Sequence, residues 1–257
     1  MIKNHDGINL SYKLAGQGPL NFVLIHNAGG NHQFMNEQLE YFSRGFQVLN
    51  VDLRGHGDSD KPEQNYTVKS FAEDIIYLCQ SHNIKKAIFI GLNYGANVAI
   101  ELANISSLAS HLVLIDPPIL MEPWVIQLIQ EHIDDLNNPT LENFAKTIAD
   151  GVFFNTCSQN KKLATAAFET TAKAALASTY KNLLIWDNES IKKLQHCTMP
   201  ILYIQSSKPF SSEEALQKYC PHLMAGKVVG SGHWATLEVP DQVNSMIKRF
   251  IDVTSMK

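Results

Sequence analysis

The chain has 257 residues, an apolar fraction of 45% and a net charge of -4, which suits one large globular unit with an insertion or two modest units. Lysine and arginine are scattered, with pairs only at Lys85-Lys86, Lys161-Lys162 and Lys192-Lys193, so nothing argues for nucleic acid or another polyanion as partner. No apolar run reaches the roughly 18 residues of a membrane span, since Leu112 to Ile129 is broken by Asp116, Pro117, Pro118, Glu122 and Pro123.

The first residues, Met1-Ile2-Lys3-Asn4-His5-Asp6, lack the apolar stretch of a secretory signal, and the expectation is a cytoplasmic protein. Cys79, Cys157, Cys197 and Cys220 lack the spacing of a metal knuckle. Buried free thiols are expected, in keeping with a reducing compartment.

In chain order, Ile8 to Leu14 alternates at period two and ends at the turn Gly16-Gln17-Gly18-Pro19. Phe22-Val23-Leu24-Ile25 is a continuous apolar strand closed by His26, a helix follows from about Gln33 to Phe42, and Phe46 to Val51 is the next strand. Thr67 caps an amphipathic helix that runs to Ser81 and carries Phe71, Ile75 and Leu78 on one stripe. Ala87 to Ile90, Ala96 to Ala103 and Leu112 to Ile115 then read strand, helix, strand. Strands without a polar face, separated by helices, mark an α/β protein with a largely parallel sheet covered on both sides.

Past Pro117 the strands stop. Helices are expected at Trp124 to Leu136, Leu141 to Phe153, Lys161 to Ser178 and Ser190 to Gln195, punctuated by Asn137-Asn138-Pro139 and Ser158-Gln159-Asn160. After Met199-Pro200 the rhythm resumes with strand Ile201 to Ile204, helix Ser212 to Tyr219, a short strand Lys227-Val228-Val229 and a terminal helix Val239 to Ile251. The expected division is a core of residues 1–117 and 199–257 and an inserted helical lid of residues 118–198.

Ligands of an open parallel sheet bind beyond the C-terminal ends of its strands. Four polar or glycine-bearing loops leave those ends: His26 to His32, Asp52 to Ser59, Gly91 to Gly95, and Ser231-Gly232-His233-Trp234. Gly91-Leu92-Asn93-Tyr94-Gly95 stands between a strand and a helix, a sharp turn whose central residue is strained and whose neighbours must approach without Cβ atoms.

Taken together these motifs resemble the α/β-hydrolase fold superfamily, of the lipase-esterase, haloperoxidase-like and C-C hydrolase type, over essentially the whole chain apart from the lid. Leu24-Ile25-His26-Asn27-Ala28-Gly29-Gly30 resembles the family's oxyanion strand end, and Val51-Asp52-Leu53-Arg54-Gly55-His56-Gly57-Asp58-Ser59 its Asp-x-Arg-Gly-x-Gly-x-Ser loop. Gly91 to Gly95 resembles the nucleophile elbow and Gly230-Ser231-Gly232-His233-Trp234 the catalytic-histidine loop. The resemblance implies the α/β-hydrolase fold, with a mostly parallel central sheet flanked by helices and an inserted helical lid. It makes His233 a general base and the backbone N–H groups of Ala28 and Tyr94 an oxyanion hole. His26, Asp52, Arg54 and His56 become loop scaffold, and Trp234 a pocket residue. His26-Asn27-Ala28 is also similar to the His-Asn-Ala of a plant lyase branch, which makes Asn27 a candidate contact for a substrate hydroxyl.

Two positions depart from the family pattern. The triad acid usually follows the strand after the lid, yet Ile204-Gln205-Ser206-Ser207-Lys208-Pro209-Phe210 holds no carboxylate before Glu213. Some members place the acid after the strand preceding the lid, where this chain has Asp116; Glu213 and Asp187 are the other candidates. The elbow, moreover, presents Asn93, whose carboxamide is neither basic nor a competent nucleophile.

Three functions therefore stand side by side. His233 acts as general base on water or substrate without a covalent step, the chain is a serine or aspartate hydrolase inactivated by substitution at residue 93, or it is a non-catalytic binder of a small ligand. In each the partner is a small molecule, and the chain is a monomer or homodimer. The lid aromatics Trp124, Phe144, Phe153, Phe154, Phe168, Tyr180 and Trp186 suit a small, mainly apolar compound, and the lid lacks the basic cluster a phosphate would need. No metal or other cofactor is expected: the ten histidines show no ligand spacing, and Gly-x-Gly-x-x-Gly is absent.

Overall fold

The apolar runs of the first half build the middle of one sheet. The structure, a computed structural model, describes residues 1–4, 6–137, 141–152 and 157–255. Its strands are β1 (Ile2–Lys3), β2 (Asn9–Leu10), β3 (Tyr12–Ala15), β4 (Asn21–Ile25), β5 (Gln47–Val51), β6 (Ala87–Leu92), β7 (Ala109–Ile115), β8 (Ile201–Gln205) and β9 (Met224–Lys227). The first two pair as a small antiparallel ribbon, and the others form a sheet in the order β3-β5-β4-β6-β7-β8-β9. Only β3 runs antiparallel to its neighbour. The central strand β6 is buried along its whole length, which is why its sequence shows no polar alternation.

Helices α1 (Asn36–Phe42), α2 (Val68–Ser81), α3 (Tyr94–Ile105), α8 (Glu213–Tyr219), α9 (Ala235–Glu238) and α10 (Pro240–Thr254) flank the sheet, with α2 packed on α3 and α1 on α10. Thr67 caps α2 through a reciprocal box, its hydroxyl accepting from Ser70 N while Ser70 Oγ accepts from Thr67 N. Between β7 and β8 lies the helical insertion: α4 (Pro123–Asn137), α5 (Leu141–Val152), α6 (Ser158–Thr170) and α7 (Lys173–His196). This is the α/β-hydrolase architecture, a mostly parallel mixed sheet between helices with an extra helical layer. Among the described residues no helix is long and apolar enough to cross a membrane.

Several expected boundaries move, each for a local reason. The run from Ile8 to Leu14 splits at Ser11, whose N–H donates to Ser59 Oγ at 2.8 Å and whose carbonyl accepts from Asp52 N. A 3₁₀ turn at His32–Met35, capped by Asn31, precedes α1. The single helix expected from Lys161 to Ser178 is two helices. Thr171 and Ala172 are extended, Ala172 N donates to Gly55 O at 3.0 Å, and that bond removes it from the helical ladder.

The segment Ser190 to Gln195 is the continuous end of α7. The strand expected at Lys227-Val228-Val229 lies earlier, at β9, because the register on β8 pairs Leu202 with Met224 and Gln205 with Lys227, leaving Val229 exposed. Cys79, Cys197 and Cys220 are buried thiols, whereas Cys157 is exposed. Asn138, Pro139, Phe153 and Phe154 lie outside the described residues.

Arg54 shows how a polar loop is held inside this frame. It is 1% exposed and forks onto Asp74, with Nε to Oδ2 at 2.6 Å and Nη2 to Oδ1 at 2.7 Å, while Asn4 Nδ2 also donates to Asp74. Replacing Arg54→Ala strands the buried carboxylate and is expected to destabilise the fold by about 3–5 kcal/mol. The shift in urea midpoint measures it; a change below about 1 kcal/mol would contradict a buried pair.

Candidate active site

The site grows from the turn between β6 and α3. Asn93 has φ 50° and ψ -116°, a strained conformation at the sharp turn from β6 back into α3. Its flanks leave no room for side chains. A Cβ on Gly91 would sit 2.3 Å from Ala96 N, and one on Gly95 would sit 2.3 Å from Ile25 O and 2.7 Å from His26 O. The turn is therefore pressed against the end of β4, where Asn27 and Ala28 begin their loop.

Asn93 is also tied to the end of β7. Its N–H donates to Ile115 O at 2.7 Å and its side-chain Nδ2 to Asp116 O at 3.2 Å. Because a carbonyl accepts here, the nitrogen of the amide faces Asp116, and Oδ1 is the end left over.

Asp116, itself left-handed at φ 46°, is fully buried and accepts from Nδ1 of His233 through Oδ2. Its Oδ1 accepts from Phe210 N at 3.2 Å. The Phe210 ring stacks on the imidazole, centroids 3.7 Å apart and planes 22° apart. The loop bearing His233 is fixed by Gly232 N donating to Glu238 Oε2 at 2.7 Å and by Ser207 N donating to Ser231 O at 3.0 Å.

Glu213 and Asp187, the other acid candidates, are engaged elsewhere. Glu213 accepts from Gln205 and Gln217, and Asp187 accepts from Leu120 N at 2.8 Å at the start of the insertion.

Asn27, Ala28, Asn93, His233 and Trp234 all line one cavity of about 510 Å³. The insertion supplies much of the remaining wall, including Trp124, Phe168 and Tyr180. Tyr94, the other residue expected at the oxyanion hole, is not among the residues lining the cavity. Its ring packs edge-on against Phe71, 5.7 Å between centroids, and its N–H is at the first turn of α3, where helix geometry supplies no partner.

A sequence profile described as alpha/beta hydrolase fold matches residues 21–240. The chain belongs to this family. Among curated sequences the chain is similar to the AB hydrolase superfamily protein YisY of Bacillus subtilis, 26% identical over 97% of both proteins. It is also similar to 2-(acetamidomethylene)succinate hydrolase of Mesorhizobium japonicum, 25% identical over 95% of this chain and 92% of that protein. Among solved structures an esterase from Exiguobacterium antarcticum superposes with a TM-score of 0.87 at 18% identity, covering 98% of each chain, a likeness of fold.

Around this site the loops are held by buried ionisable groups. His26 Nε2 accepts from Leu53 N at 3.0 Å, so its proton is on Nδ1 and is donated to Asn27 O at 2.7 Å. Burial lowers the His26 pKa to about 4, against the pull of Asp52, and burial with His26 nearby lowers His56 to about 3. For Asp52 burial acts upward but is outweighed by hydrogen bonds from His32 and the proximity of His26, leaving it at about 2. Among the described residues no three His, Cys, Asp or Glu side chains converge as a metal-binding group.

Phe210, Lys208 and, apart from Trp124, the cavity-facing stripe of α4 were not expected from the sequence. Trp124, Leu128 and His132 recur at four-residue spacing, and Gln127 and Glu131 flank them, which is one helical face. That spacing was the available signal. For Phe210 there was none, since its role depends on a loop closing over His233.

Stability should respond to acid through His26 and His56. Unfolded histidines bind a proton near 6.5, whereas these two do so only near 4 and 3. Between those values the unfolded chain holds more protons, so stability falls as pH drops from about 6.5 to 4, by up to ~1.4 kcal/mol per pH unit for each group. Asp52 acts in a lower window, its contribution present above 3.8 and lost as pH falls toward about 2. Urea midpoints at pH 7, 6 and 5 read the slope, and a flat profile would exclude neutral buried imidazoles.

Proposed function

We propose that the protein acts on a small, mainly apolar acyl or carbonyl compound, with His233 as general base and no covalent bond to residue 93. The observation that carries this reading is the His233–Asp116 pair at an apolar cavity whose turn residue is Asn93. Residues 118–198 serve as the lid that shapes the cavity, and the backbone N–H groups of Ala28 and Tyr94 form the oxyanion hole.

In this mechanism Asp116 fixes the proton on Nδ1, so Nε2 is the basic nitrogen of His233. Nε2 takes a proton from water or from the substrate, and Asp116 stabilises the imidazolium that forms. Negative charge on the substrate oxygen is met by Ala28 and Tyr94, the latter at the positive end of α3. Asn93 stands where the family carries its nucleophile and orients the reactant: with Nδ2 committed to Asp116 O, Oδ1 accepts from the attacking water or a substrate hydroxyl. Asn27 and Trp234 contact the substrate. General base and oxyanion hole each supply a factor of roughly 10² or more.

A second reading, a covalent hydrolase silenced at residue 93, draws support from the fully strained turn at Asn93. p-Nitrophenyl esters of short acids separate the two. The proposed mechanism requires turnover by the unaltered protein without a burst, lost by about 10²-fold or more in His233→Ala. Hydrolysis only by Asn93→Ser, with a burst of nitrophenol, would identify a silenced covalent enzyme. Ligand retention without turnover in either form would identify a binding protein.

Asp116→Asn tests the base itself. The amide cannot support an imidazolium and favours the wrong tautomer, so kcat should fall by about 10²-fold or more with the fold unchanged by circular dichroism. An unaltered kcat would remove Asp116 from the mechanism.

A further inference from the structure

Part of the cavity wall presents polar groups that no protein atom among the described residues partners. His132, on α4, and Tyr180, on α7, both line the cavity beside each other, with ring centroids 5.8 Å apart. Among the described residues neither imidazole nitrogen of His132 nor the hydroxyl of Tyr180 has a hydrogen-bond partner, although the polar side chains beside them do: Gln127 Nε2 donates to Glu131 Oε1 at 2.9 Å. Their surroundings are apolar and aromatic. Phe144 meets His132 edge-on at 5.6 Å and lies 6.4 Å from Tyr180, and Ile129, Ile148 and Leu183 complete this part of the wall.

Both groups are uncharged at neutral pH. Burial lowers the His132 pKa to about 4 despite Asp135 and Glu131, and burial raises that of Tyr180. A neutral imidazole offers one donor and one acceptor, and a phenol the same. Such groups in an apolar wall are satisfied by an occupant that brings its own hydrogen-bonding atom.

We propose that His132 and Tyr180 form a second recognition site, which hydrogen-bonds an uncharged polar group, such as a hydroxyl, at the tail of a substrate whose carbonyl sits at His233. The placement of the carbonyl rests on the general-base reading above; the tail site rests on the lid wall alone. A carboxylate tail is disfavoured. Glu131 lines the same wall, and Lys208, a cation of the cavity rim, holds its ammonium 4.3 Å from the Trp124 ring centroid. An anion left without a cation partner here would lose its hydration uncompensated.

Isothermal titration of the His233→Ala protein, in which the proposed turnover is removed, with methyl ω-hydroxyhexanoate, methyl heptanoate and monomethyl adipate tests the assignment. The first two match in size and differ in the terminal group. The hydroxy ester should bind about ten-fold more tightly than the alkyl ester, the size of effect a good neutral hydrogen bond gives, and more tightly than the adipate. With His132→Phe and Tyr180→Phe added to that variant, which keeps both rings, the preference should shrink to within about two-fold. Equal or tighter binding of the alkyl ester or adipate, a preference that survives the two added substitutions, or no binding of any probe overturns the proposal. Because the readout is binding rather than turnover, the tail preference does not depend on the general-base reading. The preference found together with no turnover by the unaltered protein would refute the general-base reading while leaving this site standing.

Discussion

Between β6 and α3 the chain reverses sharply at Asn93, and the positive φ of that residue sets the position of everything around it. Holding a non-glycine residue at φ 50° and ψ -116° costs on the order of 1–3 kcal/mol. The cost is offset by contacts that the turn alone makes possible. Gly95 lets α3 approach the carbonyls of Ile25 and His26, and Gly91 lets the helix fold back over the strand. The N–H of Asn93 then reaches Ile115 O. The ends of β4, β6 and β7 are thereby fastened to one point, and the loops that leave them have little freedom left.

Those loops carry polar groups into an apolar interior, and most are held by local partners, while Asn27 Oδ1 and His56 Nε2 have none among the described residues. His26 and His56 remain neutral because burial penalises their charged forms, and each gives its Nδ1 to a nearby backbone carbonyl. Asp52 stays ionised because His32 and backbone N–H groups surround it. Arg54 is the long-range tie, linking the loop after β5 to α2 through Asp74 and to the N-terminal segment through Asn4. His233 is different from this set. Its Asp116 partner lies 117 positions away, and Phe210 from a third loop covers its ring.

The core was legible because its signals are local. Continuous apolar runs gave the strands of the parallel sheet, Thr67 gave the start of α2, and the spacing of Gly91 and Gly95 gave the turn. The boundaries that shifted depend on partners distant in sequence. Ala172 leaves its helix to bond Gly55, and Met224-Ala225-Gly226-Lys227 becomes a strand only because β8 lies alongside, despite a poor intrinsic preference for that state. The cavity shows the same division. Asn27, Ala28, Asn93 and Trp234 fall on recognisable loops, whereas the stacking of Phe210 on His233 and the pairing of His132 with Tyr180 arise from packing between separate segments.

The hydrogen bond from Ala172 to Gly55 also bears on the mechanics of the inserted layer. A layer joined only at its two ends would swing as a flap, but this one is pinned partway along. Trp186 Nε1 donates to Glu101 Oε2 at 2.8 Å and Lys193 Nζ meets the same carboxylate at 2.8 Å, so α7 is braced on α3 as a rafter is on a wall. At the α4 margin, by contrast, the exposed Trp124 rests on Lys208 through a cation–π contact of the kind worth about 0.5–1 kcal/mol at exposed sites. The roof is thus tied to the core by polar bonds along α7, whereas at the α4 margin Trp124 meets the core loop through Phe210 and Lys208 alone among its ring contacts.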